Sequence, residues 1–82
     1  MYVTTVYLPE IADVAEFVNV MSQFRFEAQL HIGHYSVDAK SIMGIFTLDR
    51  DQQIQLEASV TDEAQIEKLN QAIGRFIYHP VH

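Results

Sequence analysis

The stretch Ile54–Val60 constrains the fold most. Ile54, Leu56, Ala58 and Val60 alternate with Gln55, Glu57 and Ser59, and a period of two puts every apolar side chain on one face of an extended strand. Such a strand is half buried, so it belongs to an antiparallel sheet with one face on a core and the other in water. The pattern recurs at Phe26–Ile32, where Phe26, Ala28, Leu30 and Ile32 alternate with Glu27, Gln29 and His31. Gly33 and His34 follow, the right length for a two-residue hairpin loop with the glycine free to take positive φ. Tyr35, Val37 and Ala39 then share one side of a return strand, with Ser36 and Asp38 on the other. Tyr2–Leu8 is a further strand by its β-branched and aromatic composition, stopped by Pro9.

Between these strands the apolar period changes to that of a helix. Ile11, Val14, Ala15, Val18 and Met21 recur at helical spacing. Asp13 and Glu16 stand three apart, as in a capping box, which places the helix start at Asp13 and leaves Pro9–Ala12 as a loop. Ser41 to about Leu48 reads as a short helix with Ser41 as N-cap, and the "DRDQQ" after it as a polar turn. Ile66, Leu69, Ile73, Phe76 and Ile77 form a last helical stripe, opened by Thr61 or Asp62 and ended before Pro80. Gly74 within that stripe costs about 1 kcal/mol relative to Ala. The order is strand, helix, strand, strand, helix, strand, helix. One-faced strands with three amphipathic helices imply an α+β fold of two layers.

Composition narrows the function. The 82 residues are expected to form one domain, 1–82, with 79–82 as a frayed tail. Nearly half the residues are apolar and a fifth charged, the balance of a globular chain. There is no cysteine, so thiolate metal sites and thiol nucleophiles are excluded. A formal charge of -6 works against nucleic acid and anionic membranes, whose binding depends on cation contacts to phosphate. No segment approaches the roughly 20 apolar residues that span a bilayer, and "MYVTTVYLPE" lacks the features of a signal peptide. A cytoplasmic protein with protein or small-molecule partners is the expectation.

The stretch "AKSIMGIF", Ala39 to Phe46, is where the sequence stops being generic. A hydroxyl opens a helix that is apolar nearly all round. A short helix cannot bury every side, and contiguous exposed apolar area marks an interaction site. Within "YSVDAKSIMGIFTL" the run Lys40, Ser41, Ile42, Met43 and Gly44, with Thr47 and Leu48 behind it, resembles the histidine-containing phosphocarrier (HPr) family of the bacterial sugar phosphotransferase system. The element order matches that family over nearly the whole chain, and "TDEAQIEKL" is similar to its entry into the last helix.

The resemblance implies an open-faced β-sandwich, βαββαβα, its four-stranded antiparallel sheet ordered 1-4-2-3 and covered on one face by three helices. It implies a regulatory phosphorylation site at Ser41, the target of a dedicated kinase in Gram-positive members. It also implies a partner-binding face of Ile42, Met43 and Phe46 beside Lys40, with Ile45 and Leu48 turned inward. The family's phosphocarrier site is a Gly-Leu/Ile-His-x-Arg-Pro-Ala motif between the first strand and first helix. This chain has "LPEIADVAEFV" there, with Glu10 or its neighbour in place of the histidine, Ala12 of the arginine and Asp13 of the proline. An acidic side chain at that position cannot do the histidine's chemistry and repels an incoming phosphoryl group. In this the chain is similar to the family's catabolite-repression homologues, which lack the histidine, keep the serine and bind a transcription regulator. The arginine with which those homologues contact the regulator has Ala12 in its place.

The expected role is therefore a regulatory, protein-binding module and not an enzyme or a working phosphocarrier. Its expected partners are phosphotransferase-system or catabolite-repression components, or a second copy in a homodimer, and no cofactor is expected. One alternative is a phosphotransfer protein whose acceptor has moved to His31 or His34. Another is a small-molecule-binding regulatory domain of the ACT type, which shares the βαββαβ order. As metal ligands His31 and His34 lack a third partner and point apart, and His79 and His82 fall in the tail. Glu10, Asp13 and Glu16 read as the charge bias of a helix start. No Ser-His-Asp set or Gly-rich phosphate loop is present.

Overall fold

The computed structural model describes residues 1–78, so the expected frayed tail, 79–82, lies outside the described residues. Four strands, β1 (Tyr2–Val6), β2 (Ala28–Ile32), β3 (Tyr35–Asp38) and β4 (Ile54–Ala58), form one antiparallel sheet in the order β1-β4-β2-β3. Helices α1 (Ile11–Met21), α2 (Ile42–Phe46) and α3 (Glu63–Ala72) complete the expected order. A 3₁₀ turn, Gly74–Phe76, follows α3. This is the open-faced α+β architecture with the 1-4-2-3 sheet.

The register explains why the alternation is so regular. Thr4 faces Leu56, Leu56 faces Leu30, and Leu30 faces Val37, a single row across all four strands on the helix side. Tyr2, Ala58 and Ala28 form the next row. Leu30, Ile54, Leu56 and Ala58 are completely buried and pack in one cluster with Val14, Phe17, Met21, Leu69, Ile73 and Phe76. Phe26 and Val18, expected in the same layer, are half-buried against it. Each fully buried large aliphatic or aromatic side chain contributes about 1.5–3 kcal/mol, and a one-residue slip would turn the whole set into water. The hairpin between β2 and β3 has the expected two-residue loop. Gly33 has φ of 57°, and no other described residue type takes positive φ, the signature of a type II′ turn.

Several local features differ from the sequence expectation. The first helix starts at Ile11, with Glu10 extended at the N-cap. The box is Glu10–Asp13: the Asp13 carboxylate accepts the Glu10 N–H at 3.1 Å. Glu16 stands within the helix and pairs with Arg75, whose Nη2 lies 2.5 Å from it and 3.5 Å from Asp13. Ile11 therefore caps nothing apolar and is 67% exposed, while Phe17, outside the expected stripe, is buried. β2 begins only at Ala28, because the Phe26 carbonyl is taken by Lys40 Nζ at 2.8 Å. Tyr35 is exposed, since it lies at the hairpin end of an edge strand. The last helix, opened by Asp62 accepting the Gln65 N–H at 3.1 Å, ends at Ala72. Beyond Gly74 the chain turns back along the free edge of β1. Tyr7 N–H donates to the Phe76 carbonyl at 2.8 Å and Tyr78 N–H to the Thr5 carbonyl at 2.9 Å. Ile77 thus bridges Val6 and leaves the helical stripe. Edge backbone groups that would otherwise face water are satisfied in this way.

Candidate functional site

The residues of interest converge where α2 meets the loop between β1 and α1. Ser41 is extended at the N-cap, and its Oγ accepts the Gly44 N–H at 3.2 Å, as the sequence indicates. The helix has only five residues, too short to be covered on all sides. Ile45 is fully buried and Leu48 nearly so. Ile42, Met43 and Phe46 point outward, with Met43 72% exposed and the other two 37%. The inward residues join the core cluster; the outward ones leave an apolar strip in water.

Gly44 sets how closely α2 approaches the sheet. A Cβ there would lie 3.2 Å from Ser41 Oγ and 3.3 Å from Val37 Cβ, inside ordinary van der Waals contact. Glycine here serves a close approach, since its φ is not positive.

Lys40 does not present its charge outward. It is half-buried, and Nζ donates to the carbonyls of Phe24 at 2.7 Å and Phe26 at 2.8 Å. Its part at this surface is to hold the start of α2 against the segment that follows α1. Its own N–H donates to Asp38 Oδ1 at 2.8 Å.

Arg50 is the residue that sequence reasoning missed. It sits in the polar turn after α2, and nothing in "DRDQQ" marks one cation from another. Its Nη1 donates to the Pro9 carbonyl at 3.2 Å and lies 3.5 Å from that of Leu8. Its guanidinium carbon stands 5.3 Å from the centre of the Phe46 ring. Arg50 thereby joins the β1–α1 loop to the outward face of α2, a contact of about 0.5–1 kcal/mol for the ring alone.

On the loop side Glu10 and Ala12 are exposed and Asp13 is half-buried. The first histidine in the chain is His31, so none lies in this loop. Asp13 is held by the Glu10 N–H and by Arg75. Its geometry is that of a helix cap.

The remaining histidines stand elsewhere. His31 lies on the open face of the sheet, its Nε2 3.8 Å from Glu57 Oε2, covered and without a hydrogen-bond partner. His34 is exposed in the hairpin turn. Among the described residues no three His, Asp or Glu side chains are grouped to hold a metal ion, and no helix is long and apolar enough to cross a membrane.

A family model described as the PTS HPr component phosphorylation site matches residues 12–77. The chain belongs to the HPr family. The match begins at Ala12, so Glu10 and Ile11 precede it. Among solved structures the chain is similar to HPr-C-His from Thermoanaerobacter tengcongensis, at 28% identity and a TM-score of 0.71 over 89% of this chain and 90% of that one. It is also similar to the Bacillus subtilis catabolite repression containing protein Crh, at 26% identity and a TM-score of 0.63. That match covers 90% of this chain and 88% of Crh, whose structure is described as an intertwined dimer with domain swapping. No curated protein matches the chain. Membership of the HPr family leaves the ACT-type alternative resting on element order alone.

Proposed function

We propose that this HPr-family protein is a regulatory, protein-binding module and not a working phosphocarrier or an enzyme. The observation that carries the proposal is the division of α2. Ile45 and Leu48 enter the core while Ile42, Met43 and Phe46 stand outward, beside a β1–α1 loop without a histidine. The degenerate phosphocarrier site is Glu10, Ala12 and Asp13. A carboxylate at Glu10 cannot carry a phosphoryl group as an imidazole does, and Ala12 offers no cation to steady one. What the loop keeps is its place beside α2, through Arg50.

The working surface is the strip of Ile42, Met43 and Phe46, with Lys40 fixing where α2 begins. Ser41 is the regulatory phosphorylation candidate. A phosphoryl group on its Oγ would replace the acceptor of the Gly44 N–H and add about two negative charges at the edge of the strip. The partner is a protein of the phosphotransferase or catabolite-repression machinery in the cytoplasm; a second copy of the chain is the other occupant the strip would suit.

Two measurements test this. Enzyme I with phosphoenolpyruvate should leave the protein unlabelled, and an acid-labile phosphohistidine on His31 or His34 at rates typical of a phosphocarrier overturns the proposal. Met43→Asp should keep the wild-type melting curve within about 0.5 kcal/mol, as an exposed substitution does, and lose the partner captured from the native host. Equal capture by both proteins sinks the docking role.

A further inference from the structure

A second site lies away from α2, on the opposite end of the Lys40 contact. The chain has five Lys and Arg against eleven Asp and Glu, so each cation can be followed. Lys40 holds the Phe24 and Phe26 carbonyls. Arg50 holds the β1–α1 loop, and Arg75 pairs with Asp13 and Glu16. The other two, Arg25 and Lys68, are exposed and make no ion pair among the described residues. They meet at one cavity of about 370 Å³, lined by Gln23, Phe24, Arg25, Phe26, Gln65 and Lys68.

The wall has no carboxylate in a protein of charge -6. Both side chains that could neutralise a bound charge are positive, and both amides can donate or accept. The apolar part is set in advance. The Phe24 and Phe26 rings lie 5.2 Å apart at 37°, and Lys40 fastens the backbone carbonyl of each. Across from them Gln65 belongs to the first turn of α3, where its N–H is held by the Asp62 cap. Asp62 thus turns its carboxylate onto the helix.

From this wall we infer a binding site for a small organic anion, with a phosphoryl or carboxylate group at one end and a flat ring at the other. A guanidinium presents paired donors that match either oxyanion, and a nearby ammonium adds a point charge. Aromatic rings half-buried in a tilted pair offer a face or edge to another ring. The site is a cleft open to solvent on one side, and its volume falls in the lower part of the range of small-ligand sites. The overall negative field repels anions, so binding is salt-sensitive and depends on the local pair of cations. This site stands independently of the docking role of α2.

The test is an amide chemical-shift titration of the intact protein with phenyl phosphate and, separately, benzoate, which distinguishes the two oxyanions. Inorganic phosphate and benzyl alcohol supply each half alone. Saturable shifts at Gln23–Phe26 and Gln65–Lys68 with at least one ring-bearing anion are expected, and weaker binding of either half. Arg25→Gln should raise that Kd about tenfold, equivalent to about 1.4 kcal/mol, and Lys68→Gln several-fold. Both side chains are exposed and make no ion pair among the described residues, so the variants should keep the wild-type melt, which is recorded alongside. The absence of saturable shifts with both anions overturns the inference. So does unchanged affinity in the double variant, or inorganic phosphate binding as tightly as phenyl phosphate.

Discussion

Replacing Lys40 by Met removes the ammonium and keeps an unbranched stem as long as the lysine's up to Cε, so it isolates what that charged group does. In the structure Nζ makes two short hydrogen bonds, to the Phe24 carbonyl at 2.7 Å and the Phe26 carbonyl at 2.8 Å. A hydrogen bond to a charged group contributes about 1.5–3 kcal/mol when removed from water. Here the site is only part-buried, and water can reach the freed carbonyls, so the pair together is worth about 2 kcal/mol. At about 2.1 cal/mol/K per residue, 82 residues have an unfolding entropy near 170 cal/mol/K. A loss of 2 kcal/mol then lowers Tm by about 12 °C. Thermal and urea melts followed by circular dichroism measure this directly, with an unchanged urea slope showing that the unfolded state is not what moved. The Phe24–Phe26 segment should lose amide protection before the sheet does. A Tm within about 2 °C of wild type, together with weakened partner binding, would refute the reasoning and return the ammonium to the partner surface.

Ile45→Ala should lower stability by about 2–5 kcal/mol, because Ile45 is completely buried; a chain of this size has only about 4–12 kcal/mol in all. A loss below about 1 kcal/mol in a denaturant melt would mean that the inward side of α2 is misassigned. Gly44→Ala gains about 1 kcal/mol of helix propensity. It sets a Cβ 3.2 Å from Ser41 Oγ and 3.3 Å from Val37 Cβ. Displacing the cap costs about 0.5–2 kcal/mol and crowding Val37 about 1–3 kcal/mol more, which together exceed the gain, so the variant should melt below wild type; a higher melting temperature would show that the cap and Val37 yield freely.

The sequence by itself determined the features whose cause lies within a few residues. Alternation in Ile54–Val60 and Phe26–Ile32 named the buried face of two strands, because the strand period is two and a slip exposes the whole set. Gly33-His34 set the hairpin and Ser41 the start of the second helix, because a cap bonds to an N–H three residues on; for the last helix the sequence left Thr61 and Asp62 both open, and the structure selects Asp62. The resemblance of Lys40–Gly44 supplied the sheet order, which no local pattern contains. What only the tertiary structure decided are choices between equivalent local options. Glu10–Asp13 and Asp13–Glu16 have the same spacing; the fold starts the helix after Glu10, and Arg75, about sixty residues away, pairs with both Asp13 and Glu16. The stripe from Ile66 to Ile77 continues on paper as a helix, but the Phe76 carbonyl accepts from Tyr7 N–H and the Tyr78 N–H donates to Thr5 of β1, which takes the segment along the sheet edge. Lys40 reads as a surface cation until the Phe24 and Phe26 carbonyls are seen beside it. Arg50 carries no signal at all, because its partners lie 41 and 42 residues earlier in the chain. A cation is mobile enough to satisfy whichever carbonyl the fold brings near, and its own neighbours in sequence do not say which one that is.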